Sequence, residues 1–244
     1  MTIPMVLFRN MPERQLNKSR EAISSMFDSI APVYDRLNHL LSFGIDRSWR
    51  KRLVHAVTSF CAHRDGDVSV LDMACGTGDV TIALRRKGLD VVGADISENM
   101  LAIARKKAPD IDFRFGDASG LPFADGSFDA VTIAFGIRNF DKREQCIREL
   151  HRVLRDGGML AIAEFSIPRN RLWRGIYTLY FKNILPAIGR LVSRQSYAYS
   201  YLPESSFDFP SPAKFSAELS EGGFRDVTAR SMTGGVSYLY IGRK

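Results

Sequence analysis

The sequence predicts an α/β fold built on a Rossmann-like, mostly parallel sheet. Short β-branched runs alternate with amphipathic stretches from Val68 onward, and a glycine turn at Gly76 and Gly78 follows the first run. Acids close the first three runs, at Asp72, Asp95 and Asp117. Alternation of this kind marks βαβ units. The 244 residues, 45% hydrophobic and 25% charged, suit one packed catalytic domain with extensions.

Residues 9–60 read as helical, with Pro32 interrupting the run between Phe27 and Leu41, and residues 1–60 are assigned to an N-terminal helical cap. Residues 61–244 form the catalytic part. Val68–Leu71 is predicted as the first strand, Val80–Arg86 as the helix after the glycine turn, Val91–Ala94 as the second strand and Asn99–Lys107 as its helix. Ile111–Phe115, Phe128–Ala134 and Met159–Phe165 supply strands three to five. Ile147, Leu150, Val153 and Leu154 mark the apolar face of the helix before the fifth strand, which Gly157 and Gly158 are expected to stop. Leu172–Val192 is aromatic, apolar and basic with Pro186 inside it, and reads as part of a helical insertion near 170–210 that covers the site. After the proline-rich stretch Pro203–Pro212, a helix at Pro212–Glu221 ends at Gly222–Gly223, and strands near Asp226–Ser231 and Val236–Ile241 form a closing antiparallel pair.

The net charge of +7 favours an anionic partner: nucleic acid, acidic lipid headgroups or a negatively charged substrate. The basic clusters Arg47–Arg52, Arg85–Lys87, Arg105–Lys107 and Arg169–Arg174 also fit solvated helix faces. Cys61, Cys75 and Cys146 have neither disulfide nor zinc spacing, and His39, His55, His63 and His151 lack metal-ligand spacing, so no metal is expected. Met1–Phe8 is too short for a signal-peptide core, and no apolar run approaches the ~20 residues of a membrane span. A cytoplasmic location is expected.

The sharpest motif is Val70-Leu71-Asp72-Met73-Ala74-Cys75-Gly76-Thr77-Gly78-Asp79, between a strand and a helix. Gly76 and Gly78 let the backbone approach a ligand where open α/β sheets bind nucleotides. A dinucleotide fingerprint would carry a third glycine, but position 81 is Thr. S-adenosylmethionine has no pyrophosphate and carries a sulfonium and an ammonium, so an acidic entry at Asp72 suits it and would repel a phosphate. Asp95, in Gly93-Ala94-Asp95-Ile96-Ser97, is placed to accept both ribose hydroxyls, with Ile96 beside it. Asp117 can accept from an adenine amino group while Ala118 offers a backbone donor. Asp72 and Asp117 also suit simple turn capping.

Further segments carry a resemblance. Tyr34-Asp35-Arg36-Leu37-Asn38 through Ser42 and Trp49, then Arg152-Val153-Leu154-Arg155-Asp156-Gly157-Gly158 through Glu164-Phe165-Ser166, resemble the two signatures of the ubiquinone/menaquinone biosynthesis C-methyltransferase family. Asp46 falls where the first signature prefers His, and Asp156 where the second usually has Pro. Leu121-Pro122-Phe123 and Phe135-Gly136-Ile137-Arg138-Asn139 resemble family segments too, and the likeness runs from about Phe27 to the C-terminus. It implies a seven-stranded class I methyltransferase sheet, cofactor contacts at Thr77, Asp95, Asp117, Ala118 and Ala134, and a lipophilic demethylated quinol as substrate, demethylmenaquinol before the ubiquinone precursor. Ala134 stands where the family often has Ser, so a side-chain hydrogen bond there is absent.

Carbon methylation needs an electron-rich ring carbon, which a phenol supplies as its proton leaves. Arg138 and Asn139, past strand four, suit stabilisation of that phenolate, although Arg138 also suits an ion pair with Asp141. Tyr34, from the cap, is expected to relay the proton or orient the ring. Trp173, Tyr177, Tyr180 and Phe181, beside Arg171, Arg174 and Lys182, fit either a membrane surface or an inward, substrate-covering helix. A homodimer is admitted as the assembly. A nucleic-acid methyltransferase is disfavoured because no Asn/Asp-Pro-Pro-aromatic motif follows strand four, and an NAD enzyme by the missing glycine. A silent cofactor-binding subunit is disfavoured by Arg138 and Asn139.

Overall fold

The computed structural model describes residues 16–64, 66–184 and 196–244. Residues 1–15 of the expected cap and 185–195 of the expected insertion lie outside the described residues. Seven strands form one sheet: β1 (Ser69–Met73), β2 (Asp90–Asp95), β3 (Asp112–Phe115), β4 (Phe128–Ala134), β5 (Leu154–Phe165), β6 (Arg225–Met232) and β7 (Ser237–Arg243). Their order is β3-β2-β1-β4-β5-β7-β6. The first five pair in parallel, and β7 runs antiparallel to β5 and β6.

The central strands β1, β4 and β5 are mostly buried because both of their faces are covered, whereas the edge strands β3 and β6 stay largely exposed. Along β5, Met159, Ala161 and Ala163 face one core while Leu160 and Ile162 face the other. That period of two sorts the helices. The first core is filled by Leu53, Val54 and Val57 of α3 (Ile45–Cys61) and by Val80 and Leu84 of α4 (Asp79–Arg85). The second is filled by Ile147, Leu150 and Val153 of α6 (Arg143–Val153) and by Phe215 and Leu219 of α9 (Pro212–Glu221). The expected α/β architecture, a seven-stranded and mostly parallel sheet with helices on both faces, is therefore present.

At the N-terminal side, α1 (Arg20–Ile30) passes through a 3-10 turn, Ala31–Val33, into α2 (Tyr34–Leu41), so Pro32 bends the chain without ending its helical course. Gly44, at φ +72°, makes the reversal into α3. Ile23, Met26 and Ile30 of α1 pack with Met100 of α5 (Glu98–Lys107) and Tyr201 of α8 (Ser196–Asp208). Asp28 accepts from the Ser97 hydroxyl at 2.5 Å and the Asn99 amide at 3.2 Å, fixing α1 against the start of α5. The insertion forms α7 (Arg171–Leu179), one π turn at Tyr180–Ile184, and α8.

Two expectations change. The helix before β5 ends at Val153, ahead of the glycines; Gly157, at φ +71°, lies inside β5 where its register with β4 shifts between Phe128 and Ala130. The glycine pair therefore shapes an irregularity in the strand, not a helix cap. Pro203, read as part of a connecting stretch, lies inside α8. Burial of Tyr201, Ser205 and Ser206 overrides the local propensity there.

Candidate active site

Two cavities meet at the carboxyl ends of the parallel strands. The more polar one, of about 300 Å³, is lined by Asp95, Ile96, Asp117, Ala118, Ala134 and Asn139 among others. The apolar one, of about 250 Å³, is walled by Trp49, Phe135, Phe165, Tyr177 and Phe181 and receives Arg138. Phe27, Tyr34 and Phe135 line both, so a ligand in each would meet across these three rings.

In the polar cavity Asp95 accepts from the Gly76 amide at 2.8 Å through Oδ2 and from the Ser97 amide at 2.9 Å through Oδ1. Each oxygen keeps a lone pair for a ligand hydroxyl. Burial pushes its carboxyl above the ordinary value, with the two amides opposing. Asp117 accepts the Ser119 amide at 2.9 Å and hydroxyl at 2.8 Å on Oδ1, and its Oδ2 faces Arg20 at 3.9 Å. Asn139 Oδ1 is buried with no hydrogen-bond partner among the described residues, an acceptor that a ligand donor would satisfy. Ala134 offers no side-chain bond. Here the chain is also closely packed: a Cβ on Gly136 would stand 2.6 Å from the Cβ of Ala74, itself at φ +54°. Gly136→Ala is accordingly expected to cost about 1–3 kcal/mol, read as a lowered Tm with weakened ligand binding; an unchanged Tm would mean that the loop yields freely.

Asp72 does not line the cavity. Because β1 alternates, Leu71 and Met73 face the second core while Asp72 shares the face of Val70, toward α4. Its carboxylate, 1% exposed, accepts from Thr81 Oγ1 at 2.6 Å and Thr132 Oγ1 at 2.7 Å. Thr81, which broke the dinucleotide pattern, is thus the residue that braces Asp72 beneath the glycine turn. Burial, opposed by those hydroxyls, pushes the Asp72 carboxyl from 3.8 to about 6. A folded-state value above the unfolded one means stability fully present below the unfolded value and lost as pH rises through the folded value. Between pH 4 and 7 the native protein should lose on the order of 2–3 kcal/mol relative to Asp72→Asn, measured by urea titration; parallel pH curves would contradict this.

Thr77 is likewise turned away from both cavities. Its hydroxyl donates to Asp35 Oδ1 at 2.6 Å, and Lys107 Nζ reaches Asp35 Oδ2 at 2.6 Å, Thr77 Oγ1 at 3.0 Å and Asp79 Oδ1 at 3.0 Å. The turn is thereby tied to α2, one residue from Tyr34. Gly76 gives its amide to Asp95, whereas Gly78, at φ +83°, precedes α4 with the Phe113 ring 3.0 Å from where a Cβ would stand.

Arg138 and Asn139, neighbours on the 3-10 turn Ile137–Asn139, point into different cavities, so Asn139 is not beside the same atoms as Arg138. Arg138 Nη1 donates to Glu164 Oε1 at 2.9 Å and to the Phe135 carbonyl, and its backbone amide reaches Glu164 Oε2 at 3.2 Å. Its partner is thus the fully buried Glu164 at the end of β5, not Asp141. Arg138 Nε is buried without a hydrogen-bond partner, and the guanidinium lies 5.3 Å from the Phe165 ring centre. Trp49, Phe135 and Phe165 form the aromatic wall, with the Phe135 and Phe165 centroids 4.8 Å apart. Burial raises the Tyr34 phenol, against the opposing effects of Arg50, Arg138 and Asn38, so it stays protonated.

Sequence reasoning missed Glu164 as the partner, Phe27 and Phe135 as the junction, and Asp35 as the tie to Thr77. The visible signals were a carboxylate ending an otherwise apolar strand and the adjacency of Asp35 to Tyr34. Burial raises the Cys75 thiol well above its ordinary value, which removes it as a nucleophile. His151 stacks edge-on to Phe224 at 5.2 Å. Among the described residues no group of three or more His, Cys, Asp or Glu side chains is placed to hold a metal.

Comparisons with known proteins bear on the family and the fold. Residues 14–244 match the model of the ubiE/COQ5 methyltransferase family. The demethylmenaquinone methyltransferase of Chlorobaculum parvum is 45% identical over 230 residues, covering 93% of this chain and 94% of that protein. The ubiquinone/menaquinone biosynthesis C-methyltransferase UbiE of Geobacter sulfurreducens is 44% identical over 239 residues, covering 94% and 91%. Among solved structures, a SAM-dependent methyltransferase of Thermotoga maritima, described as a possible histamine N-methyltransferase, superposes with a TM-score of 0.62 at 20% identity, covering 90% of this chain and 99% of that one. That likeness is one of fold. The family match spans the cap, both cavities and the closing strands, and on that ground the chain belongs to the ubiE/COQ5 methyltransferase family.

Proposed function

We propose that the chain transfers the methyl group of S-adenosylmethionine to a ring carbon of a demethylmenaquinol. The observation that carries this reading is the pair of cavities, one polar and one aromatic-walled, sharing Phe27, Tyr34 and Phe135. S-adenosylmethionine, when bound, supplies an electrophilic methyl on a sulfonium. The residues present fit it: Asp95 suits the ribose hydroxyls, Asp117 and Ala118 suit an adenine edge, and the unpartnered Asn139 Oδ1 suits a donor of the same ligand. Ile96 and Ala134 add apolar contact, while Asp72, Gly76, Thr77 and Gly78 shape the turn from behind.

The aromatic wall of Trp49, Phe135 and Phe165 suits a planar quinol, and the names of the relatives point to the same substrate class. Alkylation releases one proton overall, and the ring carbon becomes nucleophilic as a phenolic hydroxyl loses its proton. Arg138, held by Glu164 with Nε left over, places a fixed positive charge where that phenolate develops. A preorganised cation in a dry site stabilises such charge more than water does. Tyr34 donates a hydrogen bond and orients the ring; its raised phenol makes it a poor base. A lipophilic quinol is held in a membrane, so contact with a membrane surface belongs to the same reading, and no described helix is long and apolar enough to cross one.

The test is incubation of the purified protein with methyl-labelled S-adenosylmethionine and a short-chain demethylmenaquinol. The expected product carries the label on a ring carbon. Label on oxygen, or none, would refute the assignment. A short-chain ubiquinone precursor run in parallel identifies the preferred ring.

A further inference from the structure

Exposed apolar side chains are concentrated in one place. Eight of the nine large hydrophobic residues that stand exposed among the described residues fall within 40–45 and 172–184. The two segments are joined: Tyr180 donates to the Leu41 carbonyl at 2.6 Å, and the Phe43 and Tyr180 rings lie 5.7 Å apart. On α7 only Tyr177 is buried. Phe181 stacks on it at 4.2 Å over the apolar cavity, while Leu172, Ile176 and Leu179 are 77%, 51% and 60% exposed. The outward side is too apolar for a solvated helix and is large enough to mark a binding surface.

Two further observations name the occupant. Phe43, Ile45 and Trp173 are exposed and also line the apolar cavity, so its mouth opens within the patch. Residues 165–203 contain no Asp or Glu but carry Arg169, Arg171, Arg174, Lys182, Arg190 and Arg194, and Arg36 and Arg47 are exposed beside the other segment. An acid-free apolar stretch that carries cations, beside a turn whose adjoining Asp46 is buried and paired, matches the boundary between acyl chains and anionic headgroups.

We propose that the 40–45 turn and the outer side of α7 form a two-pronged wedge that seats the protein on an anionic bilayer, with the apolar cavity opening directly among the acyl chains. The proposal rests on the reading of the substrate as a lipophilic quinol, and it gives the quinol tail a path that never crosses water. The Tyr177 and Phe181 side covers the cavity while the Leu172, Ile176 and Leu179 side meets lipid, so one helix serves both purposes.

The full chain is tested by flotation with phosphatidylglycerol-containing vesicles, beside Leu172→Glu/Ile176→Glu/Leu179→Glu, three positions that line neither cavity. The native chain is expected to float with anionic vesicles and to partition about tenfold or more less when those three residues are charged, when salt is high, or when the vesicles are neutral. Methylation of a tail-less quinol in solution should survive in the triple variant, while that of a long-chain quinol in vesicles falls. Failure of the native chain to float, or equal flotation of the variant, overturns the proposal. So does a native dimer that the variant splits without any change in flotation, because the patch would then join two copies. Flotation without methylation of any quinol would leave the docking surface standing and remove the substrate assignment instead.

Discussion

Arg138→Ala is expected to abolish turnover and to destabilise the fold by about 3–5 kcal/mol, because it strands the carboxylate of Glu164 inside the protein. Glu164 is 0% exposed, and its oxygens face the Arg138 guanidinium and the Arg138 and Phe165 amides. Removing the cation leaves those amides but no countercharge. Two effects are thereby combined, and a second substitution separates them. Arg138→Ala with Glu164→Gln removes the stranded charge, so it should regain most of the lost stability in a urea titration while turnover stays near zero. Recovery of turnover in the double variant would show that Arg138 holds Glu164 and does nothing for the reacting ring. Calorimetry with S-adenosylmethionine should find binding retained in the folded double variant, since Arg138 opens into the apolar cavity alone.

Asp95→Ala has the second large effect. The side chain anchors the Gly76 amide at 2.8 Å and the Ser97 amide at 2.9 Å, so its loss frees the glycine turn and also removes the acceptor proposed for the ribose hydroxyls. A hydrogen bond to a charged group contributes about 1.5–3 kcal/mol, so the dissociation constant for S-adenosylmethionine should rise by about a hundredfold. Calorimetric titration checks this. Affinity within about twofold of the native value would place the ribose elsewhere. Asp72→Asn, behind the turn, should change affinity far less.

Much of this architecture was legible because local signals and tertiary structure agree. Phe128–Ala134 and Pro212–Glu221 appear with the expected bounds, since a continuous apolar run and a Ser-Pro start before a periodic helix leave little choice. Asp95 and Asp117 were expected at the site from their positions at strand ends, and the parallel topology brings both to the lining of one cavity. Asp72 was misplaced for a geometric reason: strand alternation decides which side of the sheet a residue faces, and a linear count from the glycines does not. Thr77 was assigned by resemblance to the ligand, yet its hydroxyl is taken by Asp35. The Arg138–Glu164 pair spans 26 positions, and only the parallel neighbours β4 and β5 make it close. The segment from Trp173 to Arg194 carried two readings in the sequence, membrane-facing and inward. The structure places Tyr177 inward and leaves Leu172, Ile176 and Leu179 exposed, because a helix repeats every 3.6 residues and turns these side chains to different sides.

The central claim is that methyl donor and acceptor occupy separate cavities that touch at Phe27, Tyr34 and Phe135. The most direct measurement is calorimetric titration of a short-chain demethylmenaquinol into the protein already saturated with S-adenosylhomocysteine. One quinol per chain should bind to the saturated protein, forming a ternary complex. Competition between the two ligands, with quinol binding abolished at saturation, would mean that they share a single cavity, and the account would fail.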